Sequence, residues 1–366
     1  MHYIFKKNLR LIMVLAFIGT TTFLTTGCYK NFVPDEKDFF SKDASFSRTD
    51  FDVNLGRTSV FLHIYNPDYS TQPLEFSILR FRKADTVYLT TDSSKYEIDT
   101  VPAPELEKII KTREWKSYYS GKEKSIEEIN AKRFERERPV LYMRPHSGDL
   151  FFFNTDASVV KPGVYFFDTE VKNGGGSKVF PMTMRVRRAH PYEPYNYDDI
   201  TGERKPANSG GIIHPSSMSG VVNKFGEVLP VDSVDISFHK FGSPRNTLSI
   251  KFLDQNSMPI KLSKFNMMKW DSLTYRTEMN DVDIPFGFNR RMNDDSTVVT
   301  WDIPNPFPVL TDVSGASVKA SISFRYNRVS FGRRVNANIH FDFSILEPGQ
   351  WMIVFKFKEN PKFEDD

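Results

Sequence analysis

Cysteine is nearly absent: Cys28 is the only one in 366 residues. No disulfide can form within the chain, no zinc site can be built from thiolates, and no later cysteine can act as a nucleophile. Catalytic signatures are missing as well. There is no His-Glu-x-x-His run, no serine elbow and no Gly-Lys-Ser/Thr phosphate loop, and the glycines at 174–176 are not followed by a helix. Net charge is scarce. The formal +3 belongs to Lys6, Lys7 and Arg10, in a segment without acids, so the remainder is balanced. Nucleic-acid binding loses its electrostatic argument. Long apolar runs are also lacking. Leu11–Ile18 is too short for a comfortable transmembrane helix, which needs about 20 apolar residues.

What is present begins with the order of the first 28 residues. A basic start, an apolar stretch and a small residue, Gly27, precede Cys28. That is the layout of a secretory signal. With cysteine directly after the small residue, it resembles a bacterial lipoprotein signal, which implies cleavage after residue 27 and lipid on the Cys28 sulfur. Thr25 and Thr26 relax the usual pattern. Ordinary secretion or an uncleaved anchor helix would leave Cys28 unexplained. Residues 28–47 then read as the lipidated cysteine and a polar tether. Acids at Asp35, Glu36 and Asp38 resemble a surface-export signal displaced from its usual place.

The 33 Phe, 15 Tyr and 22 Pro point to strands and turns. Alternation begins near Phe51, as in Val60, Leu62 and Ile64 against Phe61, His63 and Tyr65. It resumes at Leu150–Phe153, Val164–Val171 and Met182–Val186. His63 alone makes no metal site. Residues 48–188 are expected to form one β-sandwich. The aperiodic stretch 189–215, rich in Pro, Gly and Asn, reads as a linker. Asp198 and Asp199 near Gly202 lack the spacing of a calcium loop. Residues 216–358 alternate most cleanly, at Val234–Phe238, Leu248–Phe252, Val318–Tyr326, Ile339–Ile345 and Trp351–Phe357. They predict a second sandwich, followed by a tail at 359–366. The fold expected is all-β: two antiparallel, immunoglobulin-like β-sandwich domains.

One interval breaks the period. Residues 104–138 predict a helical insertion in the first domain. Glu105–Ile110 reads as one helix, and Ser125 with Glu128 makes a capping box for another running to about Glu137. Arg185, Arg187 and Arg188 read as an exposed strand face. Trp351 falls in the inward register. Trp270 and Trp301 lie nearer strand ends, and Trp115 lies in the insert, so these three are the candidates for an exposed ligand-binding surface. No cofactor or metal is implied.

Leu55-Gly56-Arg57-Thr58, Gly121–Ser125, Glu137-Arg138-Pro139, Phe167-Asp168, Asn173-Gly174-Gly175, Pro191-Tyr192-Glu193-Pro194 and Glu359–Asp365 carry a resemblance. Together they resemble a family of Bacteroidota surface lipoproteins defined by a domain of unknown function. The family transfers no catalytic residues. It implies an outer-membrane location, display on the cell exterior, and association with SusC/SusD-type uptake systems. The implied role is an accessory one, like that of SusE or SusF proteins, which bind polysaccharide. A non-enzymatic structural or partner-binding lipoprotein is the alternative. Paired carboxylates for glycoside cleavage are defined by spatial separation, which a sequence does not give.

Overall fold

The computed structural model describes residues 37–89, 96–116, 122–198, 201–242, 244–270, 274–276, 283–285, 287–308 and 319–366. The first half contains β1 (Asp50–Asn54), β2 (Glu75–Leu89), β3 (Tyr96–Pro102) and β4 (Ile109–Trp115). After these come α1 (Ile126–Ala131), β5 (Arg133–Pro139), β6 (Gly163–Asn173) and β7 (Gly176–Arg187). One sheet has the order β1-β7-β6-β2-β3. All its pairs are antiparallel except β1 with β7, which is parallel. A second layer pairs Ser59–Phe61, Leu150–Phe152 and Leu141–Met143. Phe51, Tyr165, Phe167 and Met184 of the larger sheet share one buried cluster with Leu141, Leu150 and Phe152 of the smaller. This is a sandwich core.

The second half adds β8 (Val234–Phe241), β9 (Thr247–Leu253), β10 (Phe288–Met292) and β11 (Val298–Asp302). It ends with β12 (Ala320–Ser330), β13 (Arg333–Ile345) and β14 (Gln350–Phe357). One sheet runs β8-β14-β9-β11-β10, with β9 and β14 parallel. The facing layer is built on the long β12–β13 hairpin, with Ser217–Ser219 and Tyr192–Glu193 also on β13. Rings meet across the gap: Phe252 lies 5.0 Å from Phe324, and Phe341 lies 5.6 Å from Phe355, both edge-on. Edge-on pairs add about 0.5–1.5 kcal/mol beyond the area they bury.

The expected helical insertion is corrected. Pro104–Leu106 is one 3-10 turn, and β4 pairs antiparallel with β5, so the insert is built on a hairpin. Glu114 bonds Arg138 at 2.8 Å, and Lys111 sits opposite Glu137. The dense charges that suggested a solvated helix face are cross-strand partners instead. Ser125 caps the helix as expected, accepting from the Glu128 N–H at 3.2 Å, while Glu128 reaches back one residue further, to the Lys124 N–H at 2.8 Å. The helix it opens stops at Ala131. Its Ile129, with Ile126 beside it, packs into the core of the second sandwich.

Two other segments are more structured than expected. Residues 189–215 do not hang free. Tyr192 stacks on Phe238 at 4.3 Å, and Tyr192 and Ile213 are both buried in the second core. The tail is also built in. Phe363 packs on Tyr326 at 4.7 Å, and Lys264 holds Asp365 at 2.7 Å. Among the described residues no helix is long and apolar enough to cross a membrane.

Candidate functional site

The tryptophans do not form a surface. Trp301 is 0% exposed and Trp270 is 9% exposed. Their rings stack at 6.3 Å, and the Trp301 indole N–H donates to the Trp270 carbonyl at 3.2 Å. Gly287 passes so close that a Cβ there would lie 2.8 Å from the Trp301 ring. Proximity to strand ends suggested exposure, but the ring behind each position closes the core. Both residues are therefore withdrawn as ligand platforms. The Trp115 side chain lies outside the described residues, as do Tyr118, Tyr119 and Cys28. Trp351 is buried, as its register indicated.

Among the described residues, a cavity lies where the two sandwiches meet. It is an open cleft of about 600 Å³. Leu55, Ala157, Pro162, Ala189, Leu346 and Pro348 give it apolar walls, and Asn154, Asp156, Arg188, Asn305 and Glu347 supply polar groups. Each wall has a reason to be where it is. The Leu55 N–H donates to the Arg187 carbonyl at 3.0 Å, and the Gly56 N–H donates to the Thr155 carbonyl at 2.8 Å. Gly56 has φ +80°, and a Cβ there would sit 3.2 Å from Ala189, so the tight passage favours glycine. On the other side, Phe307 and Ile345 exchange backbone hydrogen bonds at 2.8 and 2.7 Å, which fixes the Asn305 loop.

The domains are pinned together beside the cleft. Arg57 pairs with Glu193 at 2.7 Å and donates to Asn54 Oδ1 at 2.9 Å. A hydrogen bond from His190, followed by the Arg57 charge, holds the Glu193 carboxyl below its usual range. From the insert, Arg133 donates to the Asn305 carbonyl at 3.1 Å. Burial, reinforced by repulsion from Arg113, pushes the Arg133 guanidinium down to about 10.

An aromatic ladder runs from this junction. His190 stacks on Tyr195 at 4.3 Å, Tyr195 contacts Tyr197 at 5.5 Å, and Tyr197 is 36% exposed. Tyr197 also bridges to Arg204, closing a turn that contains Gly202. A Cβ at Gly202 would lie 3.3 Å from the Arg188 guanidinium, so the ladder and the cleft adjoin. Reading 189–215 as a linker missed this feature, although the spacing of tyrosines at 192, 195 and 197 was visible. Asp198 accepts from the Thr201 N–H at 2.8 Å within the same turn, and Asp199 lies outside the described residues. Among the described residues no group of three or more His, Cys, Asp or Glu is placed to hold a metal ion.

A family model described as a domain of unknown function, DUF5007, matches residues 65–365. The chain belongs to the DUF5007 family. That match covers most of both sandwiches and begins after β1 and the junction residues Leu55, Gly56 and Arg57. A sequence comparison with curated proteins finds no match. Among solved structures, domain 1 of VCBP3 from Branchiostoma floridae is similar at 10% identity and TM-score 0.19, over 39% of this chain and 93% of that one. The two tandem V-type regions of VCBP3, a v-region-containing chitin binding protein, reach 10% identity and TM-score 0.18, over 85% and 98%. Drosophila OTK extracellular domains 3–5 give 9% identity and TM-score 0.19, over 87% and 68%. At these TM-scores the likenesses carry no argument.

Proposed function

We propose that this DUF5007 protein is a lipid-anchored, non-enzymatic envelope protein of a Bacteroidota-type cell. In this reading it captures a glycan at its domain junction as a SusE/SusF-like accessory of a SusC/SusD-type uptake system. One observation carries the reading. Asn154 and Asn305 line the cleft from different domains, and neither amide side chain makes a hydrogen bond among the described residues. Carboxamides left open beside apolar walls suit sugar hydroxyls. Anchoring rests on Cys28 and its signal, and the tether would place the protein on the outer membrane facing outward.

The test is affinity electrophoresis of the full-length protein, with Cys28→Ser for solubility, against plant, host and microbial polysaccharides. Retardation by one glycan class that weakens in Asn154→Ala and Asn305→Ala supports the reading. Silence across a validated panel removes it. Incorporation of labelled fatty acid into the wild type, absent from Cys28→Ser, tests the anchor.

A second reading, docking to a protein partner, is favoured by a different place. Phe331 stands fully exposed at the tip of the β12–β13 hairpin, beside exposed Arg333. A solvent-facing ring at a hairpin tip contributes nothing to the core beneath it. Loss of a cross-linked transporter partner on Phe331→Ser would support that reading. The insert offers it no such support, because its helix is committed to the second core.

A further inference from the structure

We infer that the glycan held at the junction is anionic, and that Arg188 selects it by binding a carboxylate or sulfate group. This rests on the glycan reading above and names its substrate class. The three arginines at the end of β7 have different fates. Arg185 and Arg187 share one face of the sheet, and both reach Asp52, at 3.8 and 3.2 Å. Arg188 has the opposite parity and follows the last strand residue, so it leaves the sheet face and lines the cleft. Its guanidinium has no hydrogen bond or ion pair among the described residues.

Among the described residues the neighbouring acids do not supply a partner for it. Glu347 is held by Lys240 at 2.8 Å. Glu193 is held by Arg57 and His190. Asp156 turns back to the Ser158 N–H at 2.7 Å and to the Ser158 hydroxyl. The cleft therefore presents a planar cationic fork next to the open amides Asn154 and Asn305. That set matches a saccharide unit carrying an acid group among hydroxyls. A guanidinium binds carboxylate or sulfate through two parallel N–H donors, which an ammonium does not reproduce.

The experiment is isothermal titration of the full-length protein in detergent with four oligosaccharide probes. They are oligogalacturonate, its methyl ester, a sulfated galactan oligosaccharide and an uncharged glucan. The expected result is binding of an acidic probe about 10-fold or more tighter than the methyl ester, as a charge-assisted contact requires. Arg188→Gln should erase that preference with the melting temperature unchanged, and Arg188→Lys should restore it only in part. Preference for oligogalacturonate assigns a carboxylate, and preference for the galactan assigns a sulfate. Equal binding of acid and ester, or a preference that survives Arg188→Gln, overturns the inference while leaving a glycan site standing. No binding to any probe overturns the inference, and silence on the polysaccharide panel as well removes the glycan reading beneath it.

Discussion

The two sandwiches each carry one parallel pair in their larger sheet yet fill their interiors differently. The pair is at the edge in the first, β1 with β7, and within the sheet in the second, β14 with β9. In the second domain the long β12–β13 hairpin faces the larger sheet, and Phe252, Phe324, Phe341 and Phe355 interlock between them. The first domain has only three short strands for its second layer. It adds the β4–β5 hairpin, whose helix α1 leaves home and completes its neighbour's core. The second domain is thus packed mainly by its own strands, and the first contributes a strut to it. The difference suggests that the junction, and with it the cleft, depends on contacts that neither sandwich makes alone.

The largest break in this comparison should come from Trp301→Ala. Removing a fully buried indole typically costs about 3–5 kcal/mol. Denaturant unfolding followed domain by domain should show the second sandwich lost at lower denaturant while the first holds. Coincident loss of both would mean that the domains unfold as one unit.

Next is Ile129→Ala, expected to cost about 2–5 kcal/mol as a buried aliphatic truncation. The residue belongs to the first domain's insert, yet amide exchange should accelerate in β8–β14. Faster exchange confined to β4 and β5 would contradict the strut. Acid should act on the same junction. Because Glu193 is held below its usual range, its contribution is complete above its unfolded pKa and is lost as pH falls through the folded one. Interdomain cross-linking should therefore drop below about pH 4, the ordinary glutamate region. Glu193→Gln should remove that acid step.

Smaller still is Ser125→Ala, which removes the cap of α1 at about 1 kcal/mol. Thermal melts of the second domain should register it if the strut model holds. The smallest effect belongs to Phe331→Ser, within about 0.5 kcal/mol for an exposed site. A larger loss would show that the tip supports the hairpin.

Legibility followed locality. Strands β6, β7, β12, β13 and β14 were readable because alternation reports burial on one face, whichever strand lies opposite. The insert misled because Arg133–Arg138 places opposite charges at spacings that suit a helix face, and only the partner strand β4 shows their actual use. Trp270 and Trp301 misled because position along a strand says nothing about the ring that packs behind it. The junction was illegible for the same reason: Asn154, Arg188 and Asn305 are far apart in the chain and carry no motif.

By itself, the sequence determined a nearly cysteine-free, all-β chain with two runs of inward-facing aromatics and a signal-like start. Periodicity and composition are local properties, and each strand carries its own record of them. Tertiary structure decided the parallel strand pairs, the committed helix, the buried tryptophans and the cleft. Those depend on which distant surfaces meet, and burial energy selects that pairing only when both surfaces are present.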